Sequence, residues 1–259
     1  MSLHSMEFAD AQTAFARLLN IMEDLRENCP WDKKQTLQSL RILTIEEVYE
    51  LSEAIIAEDM NEIKEEIGDI LLHLVFYSKI ASETEKFDIT EAIHTVCEKL
   101  IQRHPHIYGD VKASTEEEVK KNWETIKLQS GKKSVLSGVP SGLPSMVKAY
   151  RMQEKTAQFG FQWKDRAGVW DKLKEEMQEL EDAIDSGNTK DVEMEFGDVL
   201  FSLINYGRYL KIDPEAALEK VNKKFKKRFE YIENHSHLPL ADMTLDDMEV
   251  LWQEAKTKA

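Results

Sequence analysis

Two sets of acidic residues carry the chemistry that this chain can do. Glu47 and Glu50 are followed by Glu66 and Asp69, and Glu176 and Glu179 are followed by Glu195 and Asp198. Nineteen residues separate Glu47 from Glu66, and nineteen separate Glu176 from Glu195. Every member of the first quartet lies 129 residues before its counterpart. A fixed offset of this kind marks two copies of one structural unit. With 49 acidic residues among 259, one Glu-x-x-Asp arises by chance. Two quartets at one spacing, set among matching apolar residues, do not. On a helix, positions i and i+3 share a face, so each quartet presents two acidic pairs. If the two faces meet, four carboxylates converge, raise one another's pKa values and call for cations. All-oxygen donors select hard ions, and a few carboxylates that leave room for phosphate oxygens suit Mg²⁺, with Mn²⁺ as a substitute. Gly68 and Gly197, each beside the Asp, are expected to let the helices approach closely.

Phosphates need positive partners besides metal. Lys223, Lys224, Lys226, Lys227 and Arg228 form the densest basic cluster, and Lys224 and Arg228 share a helix face at i and i+4. Lys99 and Arg103 repeat that spacing in the first half, while Lys172 stands one turn before Glu176. Divalent ions bridging phosphate oxygens polarise phosphorus and lower the pKa of a bound water, which favours in-line attack. Glu175, which precedes the second metal pair, or a quartet member such as Glu176 then takes the proton. No Gly-x-x-x-x-Gly-Lys-Ser/Thr loop, Rossmann fingerprint or Ser/His/Asp order is present, which argues against a P-loop kinase or a nucleophilic hydrolase. No His lies three residues after a quartet Glu, as a di-iron carboxylate bundle would require.

The elements that position these acids read as helices throughout. Apolar residues at three-and-four spacing predict helices near 36–57 and 60–83, broken by the polar stretch 57–61, and again near 167–186 and 189–210, broken by Ser186-Gly187-Asn188. Each pair forms an antiparallel hairpin. A first helix runs from Phe8 to about Asn28 and ends at Cys29-Pro30-Trp31-Asp32. Asp88 caps another that ends at His104-Pro105, and Ser114-Thr115-Glu116-Glu117 offers a capping box before Val119, Trp123 and Ile126. Residues 130–144 are rich in Gly, Ser and Pro and read as a linker. The expected domains are therefore 8–129 and 145–259. In the second, Phe159-Gly160-Phe161-Gln162-Trp163 corresponds to the Cys29-Pro30-Trp31 turn, Pro214 opens a helix and Thr244 caps the last one. Trp31 and Trp163 each serve either as a core plug or as a lid over a planar base. The expected class is all-α, in two similar halves.

Bulk properties narrow the partners. A formal charge of −15 argues against nucleic-acid polymers and anionic membranes, though not against a small phosphorylated ligand held through metal. Two cysteines are too few for a disulfide framework and fit a reducing compartment. The start of the chain has no apolar signal-like run and no stretch is long enough to span a bilayer, so a cytoplasmic location is expected.

The doubled Glu-Glu-x-x-Glu and Glu-x-x-Asp set resembles the MazG nucleoside triphosphate pyrophosphohydrolases of the all-α NTP pyrophosphatase group. So do Cys29-Pro30-Trp31-Asp32, Arg103-His104-Pro105-His106, Gly197-Asp198-Val199-Leu200-Phe201 and Lys224-Phe225-x-x-Arg228. The resemblance implies two tandem MazG-like helical bundles, completed by homodimerisation, and Mg²⁺-dependent cleavage of nucleoside triphosphates to monophosphate and pyrophosphate. It implies that the eight quartet acids bind metal, and that Lys172, Lys224, Arg228 and Trp252 contact nucleotide. The denser basic cluster points to the second half as the catalytic one. A pyrophosphatase restricted to deoxynucleotides such as dUTP or dCTP is the nearest alternative. A metal-stabilised helical interaction module without catalysis is the alternative from another class.

Overall fold

Each acidic quartet is carried by one helical hairpin, and each hairpin is closed by the same backbone device. In the computed structural model, which describes residues 9–111, 113, 115, 118–119, 122–123, 125–126 and 134–258, helix α1 spans Ala9–Asn28, α2 Leu37–Ala57 and α3 Met60–Ser82. They are followed by α4 (Ile89–Arg103) and the short α5 (Pro105–Tyr108). Then come α6 (Ser145–Ala157), α7 (Arg166–Ser186), α8 (Thr189–Tyr209), α9 (Pro214–His235) and α10 (Leu245–Lys258). No strand occurs among the described residues. Phe8, Ser114, Glu116, Glu117 and residues 127–133, which carried sequence expectations, lie outside them.

Between α2 and α3, Glu58 takes the left-handed conformation (φ 58°) and Asp59 caps α3 by accepting from Asn61 N and Glu62 N. Between α7 and α8, Gly187 is left-handed (φ 71°) and Asn188 accepts from Lys190 N. Asp59 and Asn188 share one backbone geometry, φ −86° and ψ 101°. A left-handed residue ends one helix and a side-chain cap starts the next. The turn therefore fixes the register of the two helices, and the acids nineteen residues apart come opposite one another.

The described residues form two compact units, divided after Val111. In the first, α3 packs along α2, α1 lies against α3, and α4 follows from α3. Met22, Leu40, Val75 and Phe76 are buried together, flanked by Phe15, Leu18, Leu43, Leu72 and Ile80. The Thr44 and Tyr77 hydroxyls, 2.6 Å apart, tie α2 to α3. In the second unit, α7 packs along α8, α6 crosses α8 and α9, and α10 lies against α9. Its interior mixes apolar Val169, Leu173, Ile204 and Ile232 with buried Gln153, Glu176, Ser202 and Asn205. Within the segment 130–144, Val135–Gly138 forms a 3-10 turn that contacts α6.

Candidate functional site

In the first unit, Glu47 on α2 meets Glu66 and Asp69 on α3, each offering an oxygen within 4.8 Å of the others. The i, i+3 step from Glu66 to Asp69 places both on the face that α3 turns toward α2. Burial raises the Glu47 pKa to about 7, and the charges of Glu50, Asp69 and Glu66 add to it. Glu66 is raised as well, by burial first and then by Glu50 and Asp69. One Glu66 oxygen, Oε2, is buried with no hydrogen-bond partner. Glu50 is exposed and lies outside the three-residue group, although its charge reaches Glu47.

In the second unit the group is Glu176, Glu179 and Glu195. Asp198, the counterpart of Asp69, is exposed and outside it. Glu176 is 7% exposed, and Lys172 Nζ sits 3.0 Å from its Oε1 and 2.7 Å from Glu175 Oε1. These two contacts raise the Lys172 pKa, Glu175 contributing most. Burial raises the Glu179 pKa, with a hydrogen bond to Glu176 adding to it and Lys172 opposing it. At the position of Lys172, the first unit carries Leu43, so its cluster has no cation on that face of the helix. Carboxyl pKa values are pushed up in both clusters, and the second also sets an ammonium group beside Glu176.

The other candidate residues lie on α9 and α10. Arg228 on α9 lies over the Trp252 ring of α10, 5.6 Å from its centroid, and Phe225 packs against the same ring at 5.2 Å. Arg228 Nε is buried with no hydrogen-bond partner. Lys224, one turn earlier, is exposed.

Two sequence expectations are corrected. Gly68 and Gly197 do not make room for a neighbouring helix, because a Cβ at either would meet nothing within 4 Å. Trp31 and Trp163 are 54% and 42% exposed, so neither plugs a core. Sequence reasoning also passed over His73, one turn past Asp69 on α3. It is buried, its Nδ1 has no hydrogen-bond partner, and burial lowers its pKa against the pull of Asp69. The counterpart of His73 is Ser202, so only the repeat offset, not a motif, pointed to this difference.

Comparison with known proteins bears on what this arrangement is for. The profile of the MazG nucleotide pyrophosphohydrolase domain matches twice, over residues 35–108 and 167–232, each match spanning one acidic hairpin. The chain belongs to the MazG family. The nucleoside triphosphate pyrophosphohydrolase/pyrophosphatase MazG of Thermotoga maritima is 43% identical over 255 residues, covering 95% of this chain and 97% of that protein. The nucleoside triphosphate pyrophosphohydrolase of Escherichia coli K12 is 36% identical over 255 residues, covering 93% and 96%. The uncharacterized protein YabN of Bacillus subtilis is 43% identical over 251 residues, with 93% of this chain spanning 51% of that protein. In this MazG chain, as the resemblance implied, both repeats are all-helical. No helix of the described residues is long and apolar enough to cross a membrane.

The Glu47 shift has a measurable consequence. A carboxyl whose folded pKa lies near 7 rather than 4.5 destabilises the metal-free fold once ionised. The penalty is complete above pH 7 and gone below about pH 4.5, because stability falls as pH rises through the folded pKa. Glu47→Gln is therefore expected to melt several degrees above the wild type at pH 8 in chelator. That advantage should shrink toward pH 5 and disappear when Mg²⁺ is added at pH 8. Equal melting temperatures for both proteins at every pH would contradict the assignment.

Proposed function

We propose that this MazG protein hydrolyses nucleoside triphosphates to nucleoside monophosphates and pyrophosphate. The observation that carries the reading is the pair of carboxylate clusters, each built by the hairpin that matches the family domain. Both fit a divalent cation. Three converging oxygens, carboxyls pushed up in pKa, and the partnerless Glu66 oxygen are what a hard ion would satisfy. Glu47, Glu66 and Asp69 would hold it in the first unit, with Glu50 alongside. Glu176, Glu179 and Glu195 would do so in the second, with Asp198 turning in as the fourth. Bound there, Mg²⁺, or Mn²⁺ in its place, would neutralise and polarise the phosphate oxygens.

The protein's own groups do the rest. Hydrolysis adds water across the anhydride between the α and β phosphates. A bond from the water oxygen to the α phosphorus forms as the bond to the bridging oxygen breaks, and pyrophosphate leaves. The water's proton passes to a carboxylate, the role assigned in this reading to Glu175 or Glu176, both in contact with Lys172. Lys172 trades its carboxylate partners for phosphate oxygens when substrate arrives. Arg228 supplies the guanidinium, with Trp252 as the surface that orients it and Lys224 one turn away adding charge. The second unit combines its carboxylate cluster with these cations, which supports it as the catalytic one.

The same hairpins leave apolar surface uncovered: Ile42 is 67% exposed, Val48 51% and Ile67 54%, and in the second unit Met194 65% and Phe196 55%. Apolar side chains exposed in series along one element mark an interface, and a second copy of the chain is the partner that suits a helical bundle left open on one side. Sedimentation at micromolar concentration should give the mass of two chains; a 30.0 kDa species would contradict the dimer.

Activity is tested by pyrophosphate release from a panel of ribo- and deoxynucleoside triphosphates. Release should require Mg²⁺ and stop with chelator. Glu176→Ala combined with Glu179→Ala should lower turnover roughly hundredfold or more, the scale of losing electrostatic stabilisation at a charged transition state. Glu47→Ala with Glu50→Ala should retain most of it. Full activity in the first double variant would overturn the role of the second unit.

A further inference from the structure

One buried side chain beside the first-unit carboxylates takes no part in the chemistry proposed above. His73 on α3 is 8% exposed, and its Nδ1 has no hydrogen-bond partner. A buried ring nitrogen left unpaired costs free energy unless something fills it. One Glu66 oxygen in the same unit is buried and unpaired as well. An orphan nitrogen and an orphan carboxylate oxygen cannot both be answered by a hydrophobic core, but a cation answers both.

Helical spacing puts His73 in line with the acids. It follows Glu66 by seven residues and Asp69 by four, so the three share one stripe of α3. The Asp69 charge acts on the ring, and burial holds the imidazole neutral, which keeps a lone pair on nitrogen. The hairpin encloses His73 from both sides. Toward the turn, Glu47 of α2 meets Glu66 and Asp69. One turn further from it, the Tyr77 hydroxyl lies 2.6 Å from that of Thr44, which stands three residues before Glu47. His73 therefore occupies the layer between the acid group and the hydroxyl pair. It is not among the three residues whose donors converge within 4.8 Å, so its ring must turn about its side-chain bonds to join them.

The second unit differs in this same layer. Ser202 stands where the first unit has His73, and Lys172 where it has Leu43. An ammonium group beside carboxylates suits an incoming phosphate, whereas an imidazole suits the metal itself. Glu47, Glu66, Asp69 and His73 together offer three carboxylates and one nitrogen, a four-donor set that fills a tetrahedral shell. Carboxylates alone suit Mg²⁺, and an imidazole nitrogen moves the preference toward borderline ions, Zn²⁺ among them.

We propose that the first unit holds a borderline transition ion of the Zn²⁺ class, with His73 as a nitrogen ligand beside Glu47, Glu66 and Asp69. That cluster is then a closed metal site with no position left for phosphate. The inference rests on the carboxylate reading of the first unit, and its test separates the two. Mn²⁺ is the probe, followed by pulsed EPR in the full chain carrying Glu176→Ala and Glu195→Ala, which leaves only the first cluster. Nitrogen hyperfine modulation is expected there, and it should vanish when His73→Gln is added. The converse chain, with Glu47→Ala and Glu66→Ala, should bind Mn²⁺ at the second cluster without that modulation. Zn²⁺ affinity at the first cluster, read by displacement of Mn²⁺, should fall about tenfold or more in His73→Gln, since even an outer partner of a ligand is worth that factor. Mg²⁺ affinity should not change. Mn²⁺ held at the first cluster without nitrogen modulation, modulation that persists in His73→Gln, or equal Zn²⁺ affinity with and without His73 would overturn the proposal and leave the carboxylate reading standing. A chain that retains no Mn²⁺ at the first cluster would remove both.

Discussion

Repulsion between carboxylates held at close range is the constraint around which each unit is built. Three acids within 4.8 Å would separate if their helices could slide or rotate. They are prevented by the hairpin turns, a left-handed residue followed by a capping Asp or Asn, which set the register. In the first unit the Thr44–Tyr77 hydroxyl contact and the Met22–Leu40–Val75–Phe76 cluster hold the same pair of helices together one and two turns away. The fold thus stores an unfavourable charge arrangement that a bound cation would relieve, as the proposed chemistry on a polyphosphate requires.

From that common frame the two repeats diverge at single positions. Lys172 stands where the first unit has Leu43, and it pairs with the buried Glu176, whereas Glu47 answers burial by holding its proton up to about pH 7. Ser202 replaces His73, and Asn205 replaces the core residue Phe76. Two of the exchanges, Leu43 to Lys172 and Phe76 to Asn205, put a polar group where the first unit has an apolar one. The repeat thus presents two carboxylate frames, and single exchanges set different side chains around each.

Much of this was legible in the sequence because helices have a short period. The 129-residue offset, the i, i+3 acid pairs and the capping residues placed both hairpins to within a residue or two, since those signals are local. What the sequence did not disclose depends on packing across elements. Asp198 satisfies the same spacing as Asp69 yet points to solvent, and Gly68 and Gly197 face open space. The exposure of both tryptophans follows from loops that no periodicity describes. Gln153 and Asn205 formed no motif at all, since they are single amides on different helices that only the crossing of α6 and α8 brings to one cavity.

Manganese binding tests the carboxylate clusters most directly, because its EPR signal counts free ions without any need for turnover. Titrated into the metal-free chain, Mn²⁺ should bind in two classes. Glu47→Ala with Glu66→Ala should remove one class, and Glu176→Ala with Glu195→Ala the other. A folded wild-type chain that binds no Mn²⁺, or binding that survives both pairs of substitutions together, would contradict the account.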